Sequence, residues 1–163
     1  MSQATETLSP AVITKNDFLE NWQGHRRLTR RVIAAFPEKD FFNFSIGGMR
    51  AFSEITKELL GIAAPGIEEI VTGKQASFTR DFQNLESKED FLKLWDEDSE
   101  KINSLWAQIP EERFGERIKA FGLYEGTVMS SIQYYVDNEI HHRGQGYVFL
   151  RALGIEPPYF YER

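Results

Sequence analysis

The chain has 163 residues, 41% of them apolar, and a net charge of −6, which suits one domain over residues 1–163 and argues against a nucleic-acid partner. It has no cysteine, which excludes disulfides, thiolate metal sites and cysteine nucleophiles. No apolar run approaches the roughly 20 residues of a membrane span, and residues 1–7 lack the basic-then-apolar pattern of a secretory signal, so a cytoplasmic protein without a membrane partner is expected.

Residues 1–13 read as a loosely held lead-in. Thr14 stands three before Asp17, an approximate capping box. Phe18, Trp22, His25, Thr29, Val32 and Phe36 then recur at steps of four and three, which predicts a helix over 15–36 closed by Pro37. Arg26, Arg27, Arg30 and Arg31 lie mostly off that stripe and read as a solvated face pairing with acidic neighbours. Residues 41–48 read as a connection that turns at Gly47-Gly48. Met49, Phe52, Ile55, Thr56, Leu59 and Ile62 predict a second helix over 49–64, interrupted or kinked at Pro65-Gly66 and resumed over 67–72. Residues 74–86 are polar and read as loop. Ser87 opens a third helix whose stripe is Phe91, Leu94, Trp95, Ile102, Leu105 and Ile109, with Asp98 upon it and Pro110 at its end. Residues 111–122 read as a connection with room for a short strand or a turn of helix. The last helix is expected over 124–153, stopped by Gly154 and Pro157-Pro158. Four long amphipathic helices with few strand signals predict an all-α fold, a four-helix bundle.

The middle of that last helix is the chemically dense part. Asp137, Asn138, Glu139, His141, His142, Arg143 and Gln145 sit between apolar flanks, and polar groups taken from water need partners. Residues four apart stack one turn above each other, which pairs Asp137 with His141 and Asn138 with His142; such a pair can hold a metal ion. His142 shares a face with Ile132, Tyr135, Phe149 and Leu153 and is expected to point inward. Glu139 and Arg143 have the spacing of a helical salt bridge.

His141-His142-Arg143-Gly144-Gln145, followed by the aromatic run from Tyr147 and Leu153-Gly154-Ile155-Glu156-Pro157-Pro158, resembles the C-terminal part of the DinB/YfiT-like family. Gly48-Met49-Arg50-Ala51-Phe52-Ser53-Glu54-Ile55 is similar to the start of that family's second helix. The resemblance implies a four-helix bundle, often dimeric, with a divalent metal ion held by three histidines. One of these lies on the second helix and two on the last, with three residues between them. In this chain the matching positions are Glu58, Asn138 and His142, so only His142 keeps the ligand type. A Glu58 carboxylate remains a ligand for zinc, nickel, manganese or iron, and Asn138 suits a harder ion than zinc.

Each position also has a plainer reading. Glu58 reads equally as a solvated helix residue, Asn138 as a hydrogen-bonding amide, and His142 as a satisfied core histidine. His141 reads as the partner of Asp137, and Arg143 and Gln145 as residues that fix the helix against its neighbours. His25 and Asp98 fall on apolar stripes. His25 turns into the pocket to complete a set of His25, Glu58 and His142, or it forms a buried pair with Asp98, or each simply sits near a helix end or at the edge of its stripe. If a metal is present, it acts as a Lewis acid in a hydrolase or a thiol-dependent transferase, with Asp137 or His141 as proton acceptor. The alternative is a non-catalytic small-molecule-binding or interaction protein that has lost the metal site. The partners expected are a second copy of the chain, as a homodimer, and an unidentified small molecule.

Overall fold

A computed structural model describes residues 12–163. Residues 1–7, expected to lack a secretory signal, and all but the end of the expected lead-in lie outside the described residues. Four long helices make the bundle: α1 (Lys15–Ala35), α3 (Phe52–Thr72), α4 (Lys88–Trp106) and α5 (Val128–Ala152). A short α2 (Glu38–Asn43) follows α1, and an antiparallel hairpin of β1 (Arg117–Ala120) and β2 (Tyr124–Thr127) precedes α5. α3 packs on α4 and α5, and α1 packs on the same two helices.

Helix starts follow local chemistry. Thr14 and Asp17 form a complete capping box, each side chain accepting the other's backbone N–H at 3.1 Å. Ser87 with Asp90 repeats the device for α4, and Thr127 with Ser130 for α5. That third box explains one correction. The last helix begins at Val128 rather than 124, because residues 124–127 pair with Arg117–Ala120 as a strand. A second correction concerns the expected interruption at Pro65, since α3 continues as helix through it. Proline inside a helix costs about 3 kcal/mol, but here Ile67 and Ile70 on the far side of Pro65 are buried in the core. The Arg80 guanidinium also donates to the Leu60 carbonyl at 3.0 Å, in the turn that the proline loosens. A third correction is α2, within the stretch read as connection. Its Phe41 is fully buried and meets Phe36, Phe52 and Phe91 edge-on at 5.0–6.2 Å.

The core falls into two halves along the bundle. One holds Trp22, Ile67, Ile102, Trp106, Ile132 and Tyr135; the other holds Val32, Phe52, Phe91, Trp95 and Phe149. On α1 the boundary between the halves falls at His25, Arg26 and Thr29, on α4 at Asp98, and on α5 at Asn138, Glu139, His142 and Arg143. A polar layer therefore crosses the middle of the bundle at matching heights, and all of these residues are buried.

Candidate functional site

The polar layer holds two clusters, and successive residues of α5 serve different ones. The inner cluster joins α1, α4 and α5. Glu139 accepts the Thr29 hydroxyl at 2.7 Å and lies 3.8 Å from both Arg26 and Arg143. Arg143 donates to the Thr29 hydroxyl at 3.0 Å and faces His25 Nδ1 at 2.9 Å. Arg26 is stacked 4.0 Å over the Trp95 ring and donates to Ser99 at 2.7 Å and to the Trp95 carbonyl. Burial pushes the Glu139 carboxyl up, and the charges of Arg26 and Arg143 oppose that shift. His25 is pushed down to about 4, by burial first and then by the cations Arg143 and Arg163.

This arrangement revises several expectations. Arg26 does not belong to a solvated face; it is 1% exposed, and its charge is met from the core side by Glu139. Of its neighbours, Arg30 does pair outward, with Asp96 at 2.7 Å, and Arg31 lies 3.8 Å from Glu162. Both ring nitrogens of His25 are engaged, one by Arg143 and the other by Arg163 at 3.1 Å. His25 is therefore neither the partner of Asp98 nor joined to Glu58 and His142. Asp98 instead takes a two-pronged ion pair from Arg80.

The outer cluster joins α3 and α5. His142 Nε2 lies 3.0 Å from Glu58 Oε1, so the two positions singled out by the family resemblance do meet. The other carboxylate oxygen of Glu58 accepts from Arg50 at 2.6 Å. Burial acts to raise the Glu58 carboxyl, but the hydrogen bonds and charges of Arg50 and His142 outweigh it and hold the group below its usual value. His142 Nδ1 faces the Gln145 side chain at 2.9 Å, and Gln145 reaches His141 Nε2 at 3.2 Å. The Gln145 amide serves either state of the ring: its oxygen accepts from an imidazolium, and its NH2 group, turned over, donates to a neutral one. Asn138, one turn before His142, is buried, and its amide nitrogen has no hydrogen-bond partner. His141 faces Gln145 rather than Asp137, and Asp137 is exposed with no side-chain hydrogen bond among the described residues.

Four observations bear on whether these residues suit a firmly held divalent ion, and all weigh against it. The His142 nitrogen that faces Glu58 is occupied by that carboxylate. The far oxygen of the same carboxylate is held by the Arg50 guanidinium at 2.6 Å and is not free to coordinate an ion. Asn138 supplies only a neutral amide. Among the described residues there is no group of three or more His, Asp or Glu placed to hold a metal ion.

Beside Glu58 opens a cavity of about 410 Å³. Its walls come from α3, the segment after α3, the hairpin and the first turns of α5, with Phe78, Phe121, Tyr124, Tyr134 and Tyr135 as its rings. None of these aromatic residues stood out as a site residue in the sequence, where Phe78 and Phe121 read as loop and Tyr124, Tyr134 and Tyr135 as part of the last helix. The one signal available was the density of rings around the hairpin. Arg50 was also missed as a site residue, although it stands eight before Glu58, close to two helical turns.

Comparison with known proteins places this geometry. The family model described as DinB family matches residues 1–163. A crystal structure of a DinB-like protein from Bacillus subtilis superposes with a TM-score of 0.71 at 21% identity, covering 91% of this chain and 100% of that one. A DinB-like protein from Bacillus cereus gives 0.73 at 16% identity, covering 90% of this chain and 97% of that one. At these identities the two structures speak for the fold. No curated protein matches the sequence significantly. Among the described residues no helix is long and apolar enough to cross a membrane.

Proposed function

This chain belongs to the DinB family, and we propose that it works without the divalent metal ion, as a small-molecule-binding protein. The observation that carries this reading is the double engagement of Glu58, with one carboxylate oxygen on His142 and the other on Arg50. A metal-dependent hydrolase or a thiol-dependent transferase needs a free donor set, and here protein groups already satisfy the donors. The neighbouring cavity gives the binding role a place, since its volume falls within the range of about 300–1,000 Å³ usual for small ligands. A ligand seated there reaches the Glu58 carboxylate directly. Asp137 and His141, considered as proton acceptors, do not line the cavity.

Elemental analysis of protein purified without an affinity tag tests the reading. Zinc, nickel, manganese and iron should stay far below stoichiometric, including after incubation with each ion and removal of the excess. Stoichiometric metal that disappears in His142→Ala would overturn it.

A homodimer is part of the proposal. Ile140 and Val148 are 38% and 57% exposed on the outer face of α5, and Gly144 between them has open space where a side chain would project. That combination suits close approach of a second helix. Light scattering that returns the mass of one chain at micromolar concentration would contradict the dimer and leave the metal-free reading standing.

A further inference from the structure

The lining of the cavity has a one-sided chemistry. Two carboxylates, Glu58 and Glu125, face it together with five aromatic rings and the hydroxyls of Ser130 and Ser131, and among the described residues no Lys, Arg or His lines it. We propose that the cavity receives an organic cation, an ammonium group carried on an apolar or aromatic body. This inference rests on the metal-free reading of Glu58, because a bound metal ion would occupy that carboxylate.

The rings are arranged as a wall. Phe78 stacks on Phe121 with centroids 4.3 Å apart, Tyr124 meets Phe78 edge-on at 6.1 Å, and Phe121 meets Tyr135 edge-on at 6.3 Å. The face of an aromatic ring carries partial negative charge and attracts a cation within about 6 Å of its centre. Phe78, Tyr124 and Tyr134 are 42%, 61% and 54% exposed, and such a cluster of exposed rings marks a binding surface more than a monomer's ordinary exterior. The hairpin pays a conformational cost to build the wall. Phe121, at its turn, is the only non-glycine with positive φ among the described residues, at 54°, a conformation that a bulky side chain rarely adopts. The strain puts a buried ring against Phe78.

Charge then selects the ligand. Glu58 is fixed from behind by His142 and Arg50, neither of which lines the cavity, so its carboxylate stays oriented. Glu125 sits on β2, exposed and without a hydrogen bond or ion pair among the described residues. A phosphate, thiolate or carboxylate entering here would meet two carboxylates and no cationic side chain among the described residues. A neutral ligand would fill the apolar wall and leave Glu125 without a counter-charge. An ammonium satisfies the rings and the unpaired Glu125 together.

Titration calorimetry with three compounds of similar size reads the selection: phenethylammonium chloride, 2-phenylethanol and sodium phenylacetate. The ammonium should bind at least about tenfold more tightly than the alcohol, and phenylacetate should show no heat of binding. Glu125→Gln should weaken the ammonium severalfold and leave the alcohol unchanged, and Tyr124→Ala should weaken both. Both residues are exposed, and an unchanged denaturation midpoint shows that each variant is folded. Equal binding of ammonium and alcohol, tighter binding of phenylacetate, or no binding by any of the three overturns the inference. Metal content measured on the same samples separates that outcome from a failure of the metal-free reading.

Discussion

His142 and Arg143 are adjacent in the chain and belong to different machines. A step of about 100° around α5 turns Arg143 toward α1, into a cluster with Glu139, Thr29 and His25. The same step leaves His142 facing α3 and Glu58. The inner cluster is sealed, since Glu139 is 2% exposed and Arg26 1%. The outer one is open, with the Glu58 side chain 29% exposed at the edge of a cavity. Charges without access to water hold the bundle's two core halves in register. Charges at a cavity edge remain available to a ligand. The compact motif from His141 to Gln145 is therefore part structural and part functional, and the division runs between neighbours.

Mutations should separate the two clusters. The largest effect is expected for Glu139→Ala, which leaves Arg26 and Arg143 buried without their counter-charge. Denaturant unfolding should show a loss of about 3–5 kcal/mol. A loss below about 1 kcal/mol would mean that the inner cluster is not a sealed ion network.

The next effect is a pH dependence. Folding lowers His25 from its ordinary value of 6.5 to about 4, so the unfolded chain takes up a proton there more readily than the native one. Stability from this group is complete above pH 6.5 and drains away as the pH falls toward 4. The groups facing the ring are Arg143 from α5, Arg163 from the C-terminal segment and Thr29 through the shared Arg143 contact. The loss should amount to about 2 kcal/mol, less than the full shift implies because Arg163 is solvent-exposed. His25→Gln should flatten that part of the stability profile.

A smaller contrast tests the two faces of α5 through their glycines. A Cβ on Gly146 would lie 2.6 Å from the Phe52 ring and 3.0 Å from Val32, whereas one on Gly144 meets nothing within 4 Å. Gly146→Ala should cost about 1–3 kcal/mol through overpacking. Gly144→Ala should leave stability unchanged or raise it by up to about 1 kcal/mol through helix propensity. Thermal melts of the pair compare them directly. The smallest effect is expected for His142→Ala, below about 1 kcal/mol, because its partner Glu58 is partly solvated and keeps Arg50. A loss as large as that of Glu139→Ala would erase the distinction between the clusters.

The sequence carried the frame well where local chemistry decides. The capping residues Thr14 and Ser87 and the helical stripes marked α1, α3 and α4, and the segment after Tyr124 marked the last helix. It failed where tertiary packing overrides local preference. Pro65 reads as a break, but Ile67 and Ile70 hold the helix together across it. Tyr124 reads as helix and pairs as strand, because the start is fixed by Thr127 with Ser130. For the site, spacing placed Glu58 and His142 together. It could not show Arg50 closing on Glu58 from outside the helix, or the two arginines that engage His25 from different elements. Those contacts depend on where a loop end, the C-terminal segment and a neighbouring helix meet, and periodicity along one element does not encode that.

The central claim is that Glu58, rather than a metal ion, is the partner of the His142 ring. Nitrogen NMR of the histidine side chains, assigned with His142→Ala, tests this most directly. The account predicts that the proton His142 Nε2 donates to Glu58, and the chemical shift of that nitrogen, both persist when zinc is added. Loss of that proton at stoichiometric zinc, with the shift of a metal-bound nitrogen, would contradict it.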